Sequence, residues 1–350
     1  MTDWRRAPAR IAVDLLGGDG GPAAVGSAIA SALRRDDSLQ VIAVGPEQLC
    51  RRLVSEAAGD VAGRLTFVAA AAEVGMGEDP IPAVRAKPDA TVCVAAKLVR
   101  QKHADAMVSV GSTGAAMAAA IFALDLLAGL TRPALTVTAP AARGDVVLLD
   151  VGANVGAAVD LLVQHAVAGV AYARARLGID RPRVGLLTIG AEDGKGDRIR
   201  RAAGGALAAL PISFVGNVEG DSVPLGGVAD VVVTDGFTGN VLLKGMEGTV
   251  ALLTGLVASR LHPDGPALHA VREVTAHLHP DRLSGALLLG VDGVVVVGHG
   301  ASSADGVAAC IALAADEVRR GVLGQVRTEL AGPSPTQTPN AQPALTEVTP

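Results

Sequence analysis

The stretch DVVVTDGFTGNVLLK, Asp230 to Lys244, decides how the chain reads. Three consecutive valines predict a strand buried on both faces, and a second apolar run follows at Val241–Leu243. Between them Asp235, Gly236, Thr238, Gly239 and Asn240 are residues that end a strand and present polar groups. A core segment interrupted this densely predicts a turn that holds something.

The same pattern recurs along the chain. RIAVDLLGGDGGP (Arg10–Pro22), AMVSVGSTGAAMAAAIF (Ala106–Phe122), DVVLLDVGANVGAAVDLLVQHAV (Asp145–Val167), RVGLLTIGAEDGKGDRIRRAA (Arg183–Ala203), ISFVGNVEG (Ile212–Gly220) and GVVVVGHGASSADGVAACI (Gly293–Ile311) each pair an apolar run with a Gly-rich turn. In most of them a helical stretch follows. This alternation predicts an α/β fold of βα units on a mostly parallel sheet. Right-handed crossovers are then expected to bring every strand C-terminus to one edge, where helix N-termini offer free N–H groups to a ligand.

Composition narrows the functional class. The chain has 350 residues, 50% hydrophobic but only 2% aromatic, so its apolar mass is Ala, Val and Leu, suited to helices packed closely on a sheet. A net charge of −5 argues against nucleic acid as a partner. Cys50, Cys93 and Cys310 are scattered, fit no zinc or redox spacing and read as core residues of a reduced, cytoplasmic protein. The N-terminal MTDWRRAPAR lacks the apolar core of a signal peptide. The uncharged Met107–Leu124 contains the turn Gly111-Ser112-Thr113-Gly114, which favours strand–turn–helix over a membrane span.

The expected layout is an N-terminal extension at residues 1–9, a folded domain at 10–330 with a helical hairpin at about 246–284 projecting from it, and a disordered Pro/Thr-rich tail at 331–350. In the hairpin, the HLH of His277 and His279 lacks carboxylate or cysteine partners nearby, so no metal is expected.

The turns carry no GxSxG elbow, and GAEDGKG (Gly190–Gly196) misses the phosphate-loop spacing of nucleotide-binding proteins. What they supply is backbone amides, small hydroxyls, carboxamides at Asn154, Asn217 and Asn240, and the cations Lys195 and Lys244. That inventory suits a small oxyanion such as phosphate. His299, between glycines at a strand exit, can address the same anion. Arg85 with Lys87, and Arg198, Arg200 and Arg201, read either as solvated surface charges or as a docking patch or phosphate contact.

Taken together and in order, AVDLLGGDGGP, AVRAKPDAT, VSVGSTGA, DVGANV, LLTIGAEDGKG, FVGNVEG, ADVVVTDGFTGNVLLK and LLLGVDGVVVVGHGASS resemble the bacterial phosphate acyltransferases of the PlsX type over about Arg10–Gly321. The resemblance implies an isopropylmalate-dehydrogenase-like fold of three layers, α/β/α, and a homodimer on the inner face of the cell membrane. It implies transfer of a fatty acyl group from acyl-[acyl-carrier protein] to inorganic phosphate without a cofactor, at the entry to phospholipid synthesis. A membrane glycerol-3-phosphate acyltransferase would consume the product.

Carried onto this chain, the expected catalytic residues are Lys195, Lys244, His299 and Asn240. Asp14, Gly18, Ser112, Thr113, Gly114, Asn154, Gly190, Glu192, Asp235, Gly236, Thr238 and Gly239 are expected to bind phosphate or substrate. Ser112 stands where the family usually has Asn, Gly156 replaces an acid, and Val297-Gly298 replaces a Lys-Ser pair. The hairpin looks short and poor in cations, which weakens the expected membrane contact. Three other readings are an acyl-CoA-dependent phosphate acyltransferase, a metal- and NAD-dependent dehydrogenase of the same fold, and a non-catalytic scaffold. The dehydrogenase would need more clustered aspartates than Asp230 and Asp235.

Overall fold

The computed structural model describes residues 7–56, 61–261, 265–275 and 285–331. Most of the N-terminal extension, the tail beyond Ala331, and His262, His277, His279 and Arg282 of the expected hairpin lie outside them.

The strands are β1 (Ala9–Asp14), β2 (Leu39–Gly45), β3 (Leu65–Ala69), β4 (Ala106–Ser109), β5 (Ala134–Ala139), β6 (Val146–Leu149), β7 (Arg183–Leu187), β8 (Ser213–Val218), β9 (Val231–Val233), β10 (Gly285–Leu289) and β11 (Val294–Gly298). The helices are α1 (Gly21–Arg35), α2 (Glu47–Glu56), α3 (Pro80–Ala86), α4 (Thr91–Arg100), α5 (Thr113–Ala123), α6 (Val159–Leu177), α7 (Arg198–Ala208), α8 (Ser222–Leu225), α9 (Gly236–Ala258), α10 (Pro266–Thr275), α11 (Ala304–Arg319) and α12 (Val322–Leu330).

All eleven strands join one sheet in the order β3-β2-β1-β4-β11-β10-β5-β6-β9-β7-β8. Side chains alternate between its faces. One face packs on α1, α2, α6, α7, α11 and α12, and the other on α3, α4, α5, α8 and α9, giving the three expected layers. Cys50, Cys93 and Cys310 are buried in these layers.

One expectation fails. The strands do not all end at one edge. β10 is antiparallel to both β11 and β5, and β5 is antiparallel to β6. β9 and β7 run parallel to β6, and β8 parallel to β7. So β1–β5 and β11 run one way, and β6–β10 the other. The reason is local. Residues 140–145 and 290–293 are the only chain between β5 and β6 and between β10 and β11. Links that short make hairpins, because a parallel return needs a crossover of a dozen residues or more. Each hairpin reverses the strand direction, and the turns sort to opposite edges.

The opening stretch is also corrected. Asp235–Asn240 is not a free turn. Gly236 begins α9, 23 residues long and therefore about 34 Å. The expected hairpin thus starts ten residues earlier than Met246, and α10 packs back on α9. Strands here run at most seven residues, or roughly 24 Å, so α9 outruns the sheet. Only Gly236, Gly239 and Leu243 of it are buried.

Behind the sheet α11 carries a fully buried carboxyl, Glu317. Its Oε1 accepts from Tyr172 Oη at 3.0 Å and lies 3.3 Å from Arg176 Nε, while Oε2 is buried with no partner among the described residues. Burial pushes this carboxyl up to about 7, against the nearby Arg176. The unfolded chain loses that proton near 4.5, so this group's stabilisation is fully present below pH 4.5 and is lost as pH rises to about 7. We expect urea unfolding to show a decline of the order of 2–3 kcal/mol across that window, and Glu317→Gln to flatten it. A native profile that rises there would rule out burial as the dominant influence.

Candidate active site

At one edge, the loops after β1, β4 and β11 lie against one another. Gly17 sits so close to Gly111 that an added Cβ would lie 2.6 Å from its nitrogen. Asp19 N donates to Gly300 O at 2.7 Å. Asp14 joins β1 to β4: its carboxylate accepts from Ser109 Oγ at 2.9 Å and Leu16 N at 3.1 Å. Burial pushes the Asp14 carboxyl up. Asp14 and Gly18 therefore hold the loop frame.

That frame presents the start of α5 and His299. Ser112 is the N-cap, its Oγ accepting from Ala115 N at 3.3 Å. Its shorter side chain is engaged on the helix itself, and the amides of Thr113 and Gly114 are given no protein acceptor among the described residues. His299 Nδ1 accepts from Ala301 N at 3.1 Å, which assigns the ring proton to Nε2 and leaves that nitrogen as a donor.

At the other edge, the donors of the opening stretch meet protein partners. Asp235 caps α9, accepting from Thr238 N at 2.9 Å, from Thr238 Oγ1 at 2.8 Å and from Arg200 Nη2. Burial alone would raise its pKa, but these donors hold it below the usual carboxylate value. Gly236 N donates to Asn154 O at 2.7 Å. A Cβ on Gly239 would fall 2.0 Å from Asp150 O. Asn154 is buried, donating from Nδ2 to Pro133 O and to Asp150 Oδ2. Here Asp235, Gly236, Thr238, Gly239 and Asn154 seat a helix on the sheet.

The Gly190–Gly196 loop lies at this second edge as well. Lys195 N donates to Glu192 O at 3.2 Å, Lys195 Nζ faces the Glu192 carboxylate at 4.0 Å, and Asn217 Nδ2 also donates to Glu192 O. Gly190, Glu192 and Lys195 are thus placed away from His299.

Between the edges a groove of about 590 Å³ crosses one sheet face. α5 stands on β11 and α9 on β6, leaving the strands between them as the floor. Thr113, His299 and Ser302 line one side, and Asn240, Lys244 and Glu247 the other. Glu247 holds Lys244 Nζ at 2.6 Å. Asn240 Nδ2 donates to Val151 O at 3.1 Å at the end nearer the second edge. The structure therefore gathers Thr113, Asn240, Lys244 and His299 out of the expected set.

Residues 9–325 match the family described as fatty acid synthesis protein. The chain is 39% identical over 328 residues to a phosphate acyltransferase of Desulfitobacterium hafniense, covering 92% of this chain and 97% of that one. It is 41% identical over 343 residues to the phosphate acyltransferase of Thermobifida fusca, covering 92% and 93%. The chain belongs to the phosphate acyltransferase family. It is an acyltransferase with phosphate as acceptor. A phosphotransacetylase from Streptococcus pyogenes shares the fold with a TM-score of 0.59 at 18% identity, covering 89% of this chain and 95% of that one. A 4-hydroxythreonine-4-phosphate dehydrogenase from Klebsiella pneumoniae does so at 0.52 and 12%, covering 89% and 98%.

Two residues of this acyltransferase escaped sequence reasoning, and a third was named without its partner. Glu247 lies one helical turn from Lys244, a spacing that was available as a signal. Ser302 lines the groove with a buried hydroxyl that has no partner among the described residues; its signal was the GASS that follows His299. Arg200 locks the α9 cap from α7, and nothing local announces a contact 35 residues away. Of the two basic groups, Arg85 stacks on Phe122, Lys87 pairs with Glu78 at 2.8 Å, and Arg200 is tied to Asp235.

Proposed function

We propose that the acyltransferase takes its acyl group from the thioester of an acyl carrier protein and forms a fatty acyl-phosphate for phospholipid synthesis in this groove. One observation carries the reading. An imidazole N–H, a lysine and the Thr113 end of α5 converge above an apolar floor.

Phosphate at neutral pH is already an oxygen nucleophile, so the site needs position and charge rather than a strong base. The Thr113 and Gly114 amides, the Thr113 hydroxyl and Lys244 hold phosphate. One phosphate oxygen bonds to the thioester carbon, and charge builds on the carbonyl oxygen, where His299 Nε2–H donates. Collapse breaks the C–S bond, and the carrier thiolate leaves and takes a proton from water. The test is hydroxylamine trapping of acyl-phosphate from carrier-linked and CoA-linked donors, with and without phosphate. Phosphate-dependent hydroxamate that favours the carrier donor is expected; equal kcat/KM for both donors overturns the choice of carrier, and no phosphate dependence overturns the reaction.

We also assign the protein to the cytoplasmic side of the membrane, as a homodimer held there peripherally and delivering product to a membrane-embedded acyltransferase. Support comes from α9, a long and largely exposed apolar helix. Over an 18-residue stretch its mean hydropathy reaches 1.5, and among the described residues it is the one helix long and apolar enough to span a bilayer. Leu252, Leu253 and Leu256 are each more than half exposed. The start of α9 is tied into the fold and Lys244 and Glu247 interrupt it, which suits lying at an interface rather than crossing. Val155 and Ile189, exposed on the loops after β6 and β7, and Phe237, exposed in the first turn of α9 after β9, are apolar surface for a second copy. Replacing Leu253 and Leu256 by Gln is expected to abolish sedimentation with anionic vesicles while the sample keeps a dimer's mass and its activity in solution. Loss of the dimer or of activity would make α9 a structural element instead.

A further inference from the structure

The groove has two chemical ends. Thr113, His299, Ser302 and Lys244 supply its polar end, and below them the floor is apolar. Val297 on β11 pairs with Ala286 on β10, and Leu287 pairs with Thr136, which sets Val137 of β5 next to Ala286 on the groove face. Leu135 and Val151 continue the floor toward the end where Asn240 bonds Val151 O. The strip spans three strands, roughly 10 Å, and two residues along β5, roughly 7 Å.

Its centre is shallowly filled. Leu135, Val137, Val151 and Val297 are buried, whereas Ala286 is only half-buried and carries a single methyl group. α5 and α9 pack on the flanking strands β11 and β6, so the room above Ala286 is open. Apolar surface left open in the middle of a sheet face, beside the groups that handle the thioester, suits the hydrocarbon of the donor.

We propose that the acyl chain lies along this floor with its thioester at the polar end, and that Ala286 sets the chain length accepted. The inference rests on reading the groove as the site of acyl transfer. Adding side-chain atoms at Ala286 removes room for methylenes remote from the reacting carbon, so long chains lose more than short ones. Discrimination by one methylene in an apolar pocket is about ten- to two-hundredfold.

The test measures kcat/KM in the hydroxylamine assay for butyryl, octanoyl and palmitoyl carrier thioesters with the native enzyme, Ala286→Val and Ala286→Leu. Circular dichroism and urea midpoints check folding. The palmitoyl-to-butyryl ratio is expected to fall at least about tenfold in Ala286→Leu, with Ala286→Val between it and the native enzyme. A ratio unchanged in folded variants, whether both donors fall together or neither does, overturns the assignment. Should Ala286→Leu misfold, the ratio in Ala286→Val decides alone. If the native enzyme forms no phosphate-dependent hydroxamate from any donor, the acyl-transfer reading of the groove fails first and takes this inference with it.

Discussion

His299→Ala is expected to lower kcat for acyl-phosphate formation by about a hundred- to a thousandfold, the range for losing one preorganised donor to a developing oxyanion. The ring is exposed at the end of β11 and packs no core, so the fold should survive. Its Nδ1 is committed to Ala301 N, which leaves Nε2 as the ring donor of a residue that lines the groove. Because that donor acts on charge appearing only in the transition state, KM for phosphate should move little. Lys244→Ala should behave differently. Its cation meets phosphate in the ground state, and loss of one charge-assisted bond raises the phosphate requirement about ten- to hundredfold. Steady-state kinetics on the two variants separates the roles. Unchanged kcat in a folded His299→Ala protein would remove the imidazole from the chemistry.

Gly239→Ala is expected to destabilise the protein by about 3–5 kcal/mol or to prevent folding, a loss reserved for a few severe mechanisms. The added Cβ would fall 2.0 Å from Asp150 O and 3.0 Å from Thr234 Cγ2, and the first of these is backbone that cannot rotate away. To accommodate it, α9 must lift off the loop after β6, breaking the Gly236–Asn154 hydrogen bond and moving Asn240 and Lys244 out of the groove wall. Gly245→Ala in the same helix is the control. A Cβ there meets nothing within 4 Å, so it should stabilise α9 by about 0.5–1 kcal/mol through helix propensity. Thermal or urea unfolding reads both. Equal effects at Gly239 and Gly245 would mean that the seating of α9 on the sheet is not tight.

Much of the architecture was legible because burial leaves a local trace. Val231–Val233 and Val294–Val297 are apolar without alternation, as strands covered on both faces must be. Asp235 and Ser303, three residues ahead of Thr238 and Gly306, are N-caps with bonds to those amides. The start of α9 was harder. Gly236 and Gly239 weaken a helix locally, so the segment reads as a turn until the Asp150–Asn154 backbone that demands them is in view.

The sequence by itself determined the three-layer class, the strands that run into Gly-rich turns, the cysteines as core residues and the family, since each follows from short-range pattern or from motifs in order; β2, β3, β5 and β10 were not read. Only the tertiary structure decided which polar turns meet. Strand direction depends on pairing between distant segments, and two short hairpins reverse it. The reversal carries Lys195, Asn154 and Asp235 to one edge and Ser112 and His299 to the other. α9, longer than the strands, then brings Asn240 and Lys244 back along the sheet face toward Thr113 and His299. No residue pattern encodes that meeting, because it is set by where α9 starts and which way it runs on a sheet whose halves point in opposite directions.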